Sequence, residues 1–188
     1  ARSEMCIRDR LEGLTLSWNL LDRVLLPARV PGYRREDLDM LAATGQVVWV
    51  GRGAAGPKDG RIALYQRDNV IAAGPGAGED AAASEGESIE HGPAAELRAL
   101  LLEHLQQRGA CFLMELQQVL ERAGHCVSSA TGKSAFEAAL WDLVWSGLIT
   151  NDTFAPLRSL GGGGARRPRR GRARFRSHPL AGGRWSLV

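Results

Sequence analysis

The residues with the plainest chemistry are arginines near the carboxyl end. From Gly161 to Arg176 the chain reads Gly-Gly-Gly-Gly-Ala-Arg-Arg-Pro-Arg-Arg-Gly-Arg-Ala-Arg-Phe-Arg, which gathers Arg166, Arg167, Arg169, Arg170, Arg172, Arg174 and Arg176 in one run. Guanidinium forks take phosphate oxygens two at a time, and the glycines leave such a segment mobile until it binds. The expected act is a grip on a nucleic-acid backbone, or a reach into a minor groove, with little choice of sequence. The plainer alternative is an unstructured solubilising loop. Charge distribution favours the grip. Residues 153–188 hold nine arginines and neither Asp nor Glu, so the overall +3 conceals a body, residues 1–152, at −6. A cationic arm on an acidic body points to a polyanionic partner.

Other chemistry-bearing residues are weaker. Gly132-Lys133-Ser134 suggests a phosphate-binding loop, but that motif needs an earlier glycine where Val127 stands, and a buried strand before it. An ATP site is therefore not expected. Lys133 and Ser134 instead read as the polar start of a helix, able to touch a DNA phosphate. Trp141 and Trp145 lie one helical turn apart, either covering the edge of a core or offering a ring to a base. Arg158, just past the helix and strand, joins the candidate phosphate ligands. Asp142 and Asp152 have no partner evident in sequence, so acid/base catalysis is not argued for them, and Asp152 reads as a turn residue. His91, His104, His125 and His178 are scattered without ligand spacing, and Cys6, Cys111 and Cys126 contain no CxxC pair. Neither a metal site nor a disulfide framework is expected.

These residues must be positioned by small elements. Phe136, Leu140, Leu143 and Val144 recur at helical spacing, Gly147 stops that helix, and Leu148-Ile149-Thr150 reads as a strand before an Asn151-Asp152 turn. Helix, tight turn, strand and loop is how a winged helix ends, with the helix as recognition element and residues 161–182 as an extended wing. Upstream, a helix opening at Pro93 with Leu97, Leu101 and Leu105, a strand at residues 110–112 and a helix through Leu113, Leu116 and Leu120 complete a module over 94–188. Residues 183–188 close it as a strand.

A second, partial module is expected over 11–71. It has an apolar helix ended by Pro27, a short helix near residues 36–43 facing inward through Leu38 and Leu41, and a strand at 46–50. A long turn over 51–60 then leads to a strand at 61–65. Residues 72–93 carry Glu79, Asp80, Glu85, Glu87 and Glu90 without Lys or Arg, and read as a flexible acidic linker. The fold class is thus α+β: tandem winged-helix modules, the first partial, joined by that linker. Residues 1–10 are set aside, because Met-Cys-Ile-Arg-Asp-Arg at 5–10 is what a transposase-end sequencing adapter encodes when read through. No apolar run approaches the ~20 residues of a membrane span and no signal-peptide pattern is present, so a cytoplasmic, nucleoid-associated protein without a membrane partner is expected.

Two runs carry a family resemblance. Leu26-Pro-Ala-Arg-Val30 through Gln46-Val-Val-Trp-Val-Gly-Arg-Gly53, and Ala139-Leu-Trp-Asp-Leu-Val-Trp-Ser-Gly-Leu-Ile-Thr-Asn-Asp-Thr-Phe-Ala-Pro-Leu-Arg158, resemble the large helicase-related (Lhr) proteins of bacteria. The arginine run and Gly183-Arg-Trp-Ser-Leu187 fit the same pattern. The resemblance implies part of the carboxyl-terminal extension of a superfamily 2 ATP-dependent DNA helicase acting in DNA repair. That extension is similar to the tandem winged-helix fold of certain DNA glycosylases, and the family has been linked to uracil removal. ATP and magnesium are implied for a motor encoded upstream, with no cofactor expected in this piece. The implied partners are DNA (single-stranded, forked or a hybrid duplex) and the motor of the same polypeptide. No residue here matches a glycosylase carboxylate, which is expected beyond Val188. The rival readings are a glycosylase-like domain and a protein-docking winged helix.

Overall fold

The structure, a computed structural model, describes residues 11–70, 92–160 and 179–188. The adapter-like start, nearly all of the acidic linker and the arginine run therefore lie outside the described residues.

The first half opens with β1 (Leu16–Ser17), whose Ser17 hydroxyl caps α1 (Trp18–Leu20) by accepting from the Leu20 N–H at 3.4 Å. Helical backbone then continues past the proline expected to end it. Residues Leu21–Leu25 widen into a π-helical segment, and α2 (Leu26–Arg29) resumes with Pro27 near its start. Proline lacks an N–H and its ring crowds the carbonyl four residues back. The wider turn, in which the Leu26 N–H reaches the Leu21 carbonyl, accommodates it. Next comes α3 (Arg35–Ala43), with Leu38 and Ala42 buried and Leu41 only partly so.

Strands β2 (Val47–Ala54) and β3 (Gly60–Gln66) pair antiparallel from Val47↔Gln66 to Gly51↔Ile62, then shift register before Ala54↔Gly60. The strand thus runs through the first part of the expected long turn. What remains is a short hairpin tip closed by the Ala55 N–H on the Asp59 carbonyl at 3.0 Å. β1 pairs with β3, so the sheet order is β1-β3-β2, and α4 (Arg67–Val70) follows.

The second half repeats that order behind an additional helix, α5 (Pro93–Arg108), which buries Leu97, Leu101 and Leu105. Then come β4 (Cys111–Phe112), α6 (Leu113–Arg122), α7 (Ala130–Trp145) and β5 (Ile149–Asn151). α8 (Ala155–Leu160) stands where a loop was expected, and a 3-10 turn (Pro179–Ala181) leads into β6 (Arg184–Leu187). The second sheet is ordered β4-β6-β5 and is also antiparallel. Gly147 stops α7 at φ 71°, as its sequence position requires.

The two halves pack on one another and share one large hydrophobic core, beside which Val50, Ala63 and Tyr65 form a smaller cluster. Phe154, leaving β5, is fully buried and stacks on Trp18 of the first half at 5.3 Å, with Trp49 at 6.3 Å. The Trp49 indole N–H donates to the Thr153 carbonyl at 3.1 Å, and the buried Thr150 hydroxyl donates to the Trp49 carbonyl at 2.6 Å. Two glycines permit the close approach. A Cβ on Gly51 would lie 2.0 Å from the Val144 carbonyl oxygen, and one on Gly60 2.1 Å from the Trp145 ring. No helix among the described residues is long and apolar enough to cross a membrane.

Candidate nucleic-acid interface

Helix α7 is held at its start by Ser129, whose Oγ accepts from the Gly132 N–H and donates to the Cys126 carbonyl, both at 3.0 Å. A Cβ at Gly132 would sit 1.8 Å from that carbonyl oxygen. Gly132 is therefore required by packing, and the Gly-Lys-Ser string is a helix start that does not fit a triphosphate. Lys133 and Ser134 are exposed in the first turns, as the sequence suggested. Lys133, Glu137, Trp141 and Trp145 follow at four-residue intervals and share one stripe of the helix.

Trp141 is half-buried, and its surroundings are protein. It stacks on Trp145 at 5.0 Å and meets buried Trp185 edgewise at 6.5 Å. Asp142 is paired with Arg98 of α5 at 3.5 Å. The charged side chains of α7 are Lys133, Glu137 and Asp142, so the helix alone is not a cationic face.

Arg158, a candidate phosphate ligand in the sequence, is engaged within the fold. It lies on α8 with 17% of its side chain exposed, in a close ion pair with Asp39 of α3. The other Asp39 oxygen accepts from the Phe154 N–H at 2.9 Å. This carboxylate ties α8 and the residue leaving β5 to the first half, a junction that depends on residues 115 or more positions apart and left no local pattern. Beside it, buried Asp22 is bound by Arg35 at 2.6 and 3.2 Å, with the Tyr33 hydroxyl at 3.5 Å. Burial, and then the Asp22 charge, hold the Tyr33 phenol above its usual range.

Arg166, Arg167, Arg169, Arg170, Arg172, Arg174 and Arg176 lie outside the described residues, but both ends of their segment are in view. α8 and the 3-10 turn pack together, so the elements on either side of the segment adjoin. Asp152 accepts from the Arg184 N–H at 2.6 Å and from its Nε at 2.9 Å, the turn role read for it in sequence. Asn151 Oδ1 takes the Thr153 N–H and hydroxyl, each at 2.9 Å. Gly183, at φ +72°, fits against these groups where a Cβ would approach the Asn151 and Asp152 oxygens to 2.4 Å. The arginine segment therefore hangs from a closed, hydrogen-bonded base.

The sequence reading passed over the β2–β3 hairpin. Its Asp59 carboxylate accepts from the Ser17 hydroxyl at 2.5 Å, the Asn19 N–H at 3.1 Å and the Gly60 N–H at 2.9 Å. Burial pushes this carboxyl upward, but the hydrogen bonds outweigh it and leave Asp59 below the usual carboxylate range. The signal was a lone Asp beside a glycine turn flanked by Arg52, Lys58 and Arg61. It resembled an ordinary solvated loop. Among the described residues, no group of three or more His, Cys, Asp or Glu could hold a metal ion.

Against known proteins, residues 5–67 match a family model described as "Large helicase-related protein, winged-helix domain". The chain is 33% identical over 202 residues to a protein of Escherichia coli (strain K12) named "Lhr helicase/uracil glycosylase", a match covering 98% of this chain and 12% of that protein. It is 30% identical over 183 residues to one of Mycolicibacterium smegmatis named "Lhr helicase/ probable uracil glycosylase", covering 96% of this chain and 11% of the relative. The chain thus spans about a ninth to an eighth of the length of these curated relatives.

Proposed function

The chain belongs to the large helicase-related family, and from that premise we propose that it is a nucleic-acid-holding segment of the helicase, built from two winged-helix modules. The second half repeats the first half's strand order, which supports reading it as another winged helix. In this reading the arginine segment closes on the phosphate backbone. Lys133 and Ser134 touch it at the start of α7, and the motor of the same polypeptide supplies ATP- and magnesium-dependent movement. DNA repair in the cytoplasm, at the nucleoid, is the setting that follows.

One observation carries the proposal: seven arginines without an acidic residue in 161–178, following Leu160 of α8 and preceding a turn that is hydrogen-bonded to Asp152. Bidentate guanidinium–phosphate pairs release counterions, so binding must weaken steeply with salt. Anisotropy of labelled single-stranded, forked, duplex and hybrid probes across a salt series tests it. Six contacts on duplex DNA correspond to a slope of about −5 in log affinity against log salt. Binding indifferent to salt removes the proposal.

The relatives' names favour a second reading, in which this segment helps present a flipped base to a uracil glycosylase. Asp22, Asp39, Asp59, Asp142 and Asp152 are each engaged by a donor within the fold. Catalytic work by any of these five would first have to release that donor. Incubation of the chain with uracil-containing DNA decides it, since base release by this chain alone would place the activity here.

A further inference from the structure

Resting on the nucleic-acid reading above, we infer that Phe112 is a stacking platform for an unpaired base, with Arg184 beside it for that nucleotide's phosphate. Among the described residues Phe112 is the one aromatic side chain open to solvent, at 54% exposure. The strand pairing explains why. β4 sets Cys111 opposite Trp185 and Phe112 opposite Arg184. Successive strand residues face opposite ways, so Cys111 enters the core with Trp185, while Phe112 and Arg184 share the outer face. Side chains directly opposite one another in an antiparallel pair stand about 5 Å apart at Cβ. β4 is an outer strand of its sheet, which puts the ring at a margin. Phe112 also immediately precedes α6, where Ser, Thr, Asp or Asn would cap the helix. Phenylalanine has no acceptor for that purpose, and the nearby Glu115 carboxylate is turned to the Phe112 N–H at 3.3 Å. The ring thus serves neither the core nor the cap.

Its neighbours suit a nucleotide. Arg184 is fixed in place, its N–H and Nε donating to Asp152 at 2.6 and 2.9 Å, yet 51% of its side chain stays exposed. A guanidinium held in this way loses little freedom on meeting a phosphate. Arg184 follows the 3-10 turn at which the arginine segment rejoins the fold, and that turn packs against α6, the helix that Phe112 precedes. On the proposed function, the chain's positive charge therefore brings a polyanion to the strand beside the ring. Guanidinium groups bind the phosphates of single strands and duplexes alike, whereas the face of a base is open only in an unpaired strand. Every base has such a face, so the platform adds to the grip on a single strand without choosing its sequence.

The test uses the whole chain, a labelled single strand and a duplex of the same sequence, with anisotropy over a salt series. Phe112→Ala is expected to weaken single-strand binding by about fivefold or more and to leave duplex binding unchanged. The salt slope should not move, because the ring carries no charge. Phe112→Trp should keep the single-strand affinity, whereas Phe112→Leu, apolar but without a π face, should lose it as alanine does. Thermal melting checks the fold, and should alanine lower the melt, the tryptophan and leucine variants still decide. A leucine variant that binds the single strand as wild type overturns the stack, and so does an alanine variant that weakens both probes equally. If all three variants bind as wild type while Arg166, Arg167, Arg169 and Arg170→Ala abolish binding, the platform alone is refuted and the proposed function stands. The ring would then belong to a protein partner or to solvent. If the wild-type chain binds neither probe, both fall together.

Discussion

Replacing Gly51 by alanine asks whether the two halves are one folding unit. The new Cβ would lie 2.0 Å from the Val144 carbonyl oxygen, 2.7 Å from its carbon and 3.2 Å from the Trp145 Cα. A carbon and a carbonyl oxygen sit at about 3.3–3.6 Å even in close backbone contact, so β2 and α7 must separate by more than about 1 Å. All three neighbours are backbone, so no side-chain rotamer can relieve the clash. Overpacking typically costs about 1–3 kcal/mol, and a rigid neighbour places this site at the upper end. For a chain of this size, about 3 kcal/mol lowers the melting temperature by roughly 6–12 °C. Gly56→Ala is the control, because it meets nothing within 4 Å and only φ +94° opposes it, a strain of about 1–2 kcal/mol. Circular dichroism melts read both. The wild type should unfold in one transition, and Gly51→Ala should melt lower than Gly56→Ala, or in two steps. A Gly51→Ala melt superimposable on wild type would refute the shared-core account.

Three further outcomes follow from the geometry. Arg158→Met should cost about 1–3 kcal/mol by leaving Asp39 unpaired at a mostly buried site. It should leave the salt slope of nucleic-acid binding unchanged, and a flattened slope would restore Arg158 as a phosphate ligand. Asp59 is held below its ordinary value in the folded state, so its contribution is present above about pH 4 and is lost as the pH falls through the folded value. Stability measured by denaturant titration should therefore fall below about pH 4 more steeply in wild type than in Asp59→Asn. Parallel curves would count against the hydrogen-bonded pin. Arg166, Arg167, Arg169 and Arg170→Ala should flatten the duplex salt slope by about 3.6 if each meets one phosphate. An unchanged slope would return the arm to the solubilising role.

Much of the architecture was legible because it is written locally. The apolar stripe of α7, the stop at Gly147 and the valine-rich β2 each depend on neighbours within a few residues, and each appears where the sequence placed it. Pro27 misled because the rule against proline in a helix assumes α-helical turns, and the π-helical Leu21–Leu25 segment evades it. α8 was hidden because a six-residue helix spans fewer than two turns, too few for an apolar repeat to stand out. The site was less legible than the fold. Arg158 looked like the first residue of the arm, and its partner Asp39 is 119 positions away. Trp141 could be read either as core or as a stacking ring. The structure surrounds it with Trp145 of the same helix and with Trp185, a contact that requires α7 and β6 to be brought together first.

On the proposed function, the junction also bears on what binding by the arginine segment must overcome. Phe154 leaves the last residue of β5 and enters the first half's core within three positions, stacked on Trp18 and tied through its N–H to Asp39. At the other end, Gly183 and Arg184 are fastened to the Asn151–Asp152 turn, and Leu180 is buried with the Trp185 indole N–H on its carbonyl at 3.3 Å. Both ends of the arginine segment are thus fixed by interactions made within the fold, independent of any ligand. The cost of bringing the ends of a chain together grows only as about (3/2)RT ln n with its length, and here folding has already met it. On the proposed function, a base anchored in both halves would raise affinity without adding a contact. The coupling would be reciprocal: a nucleic acid bound by the arginine segment would stabilise the base, and through Asp39 and Phe154 the association of the two halves.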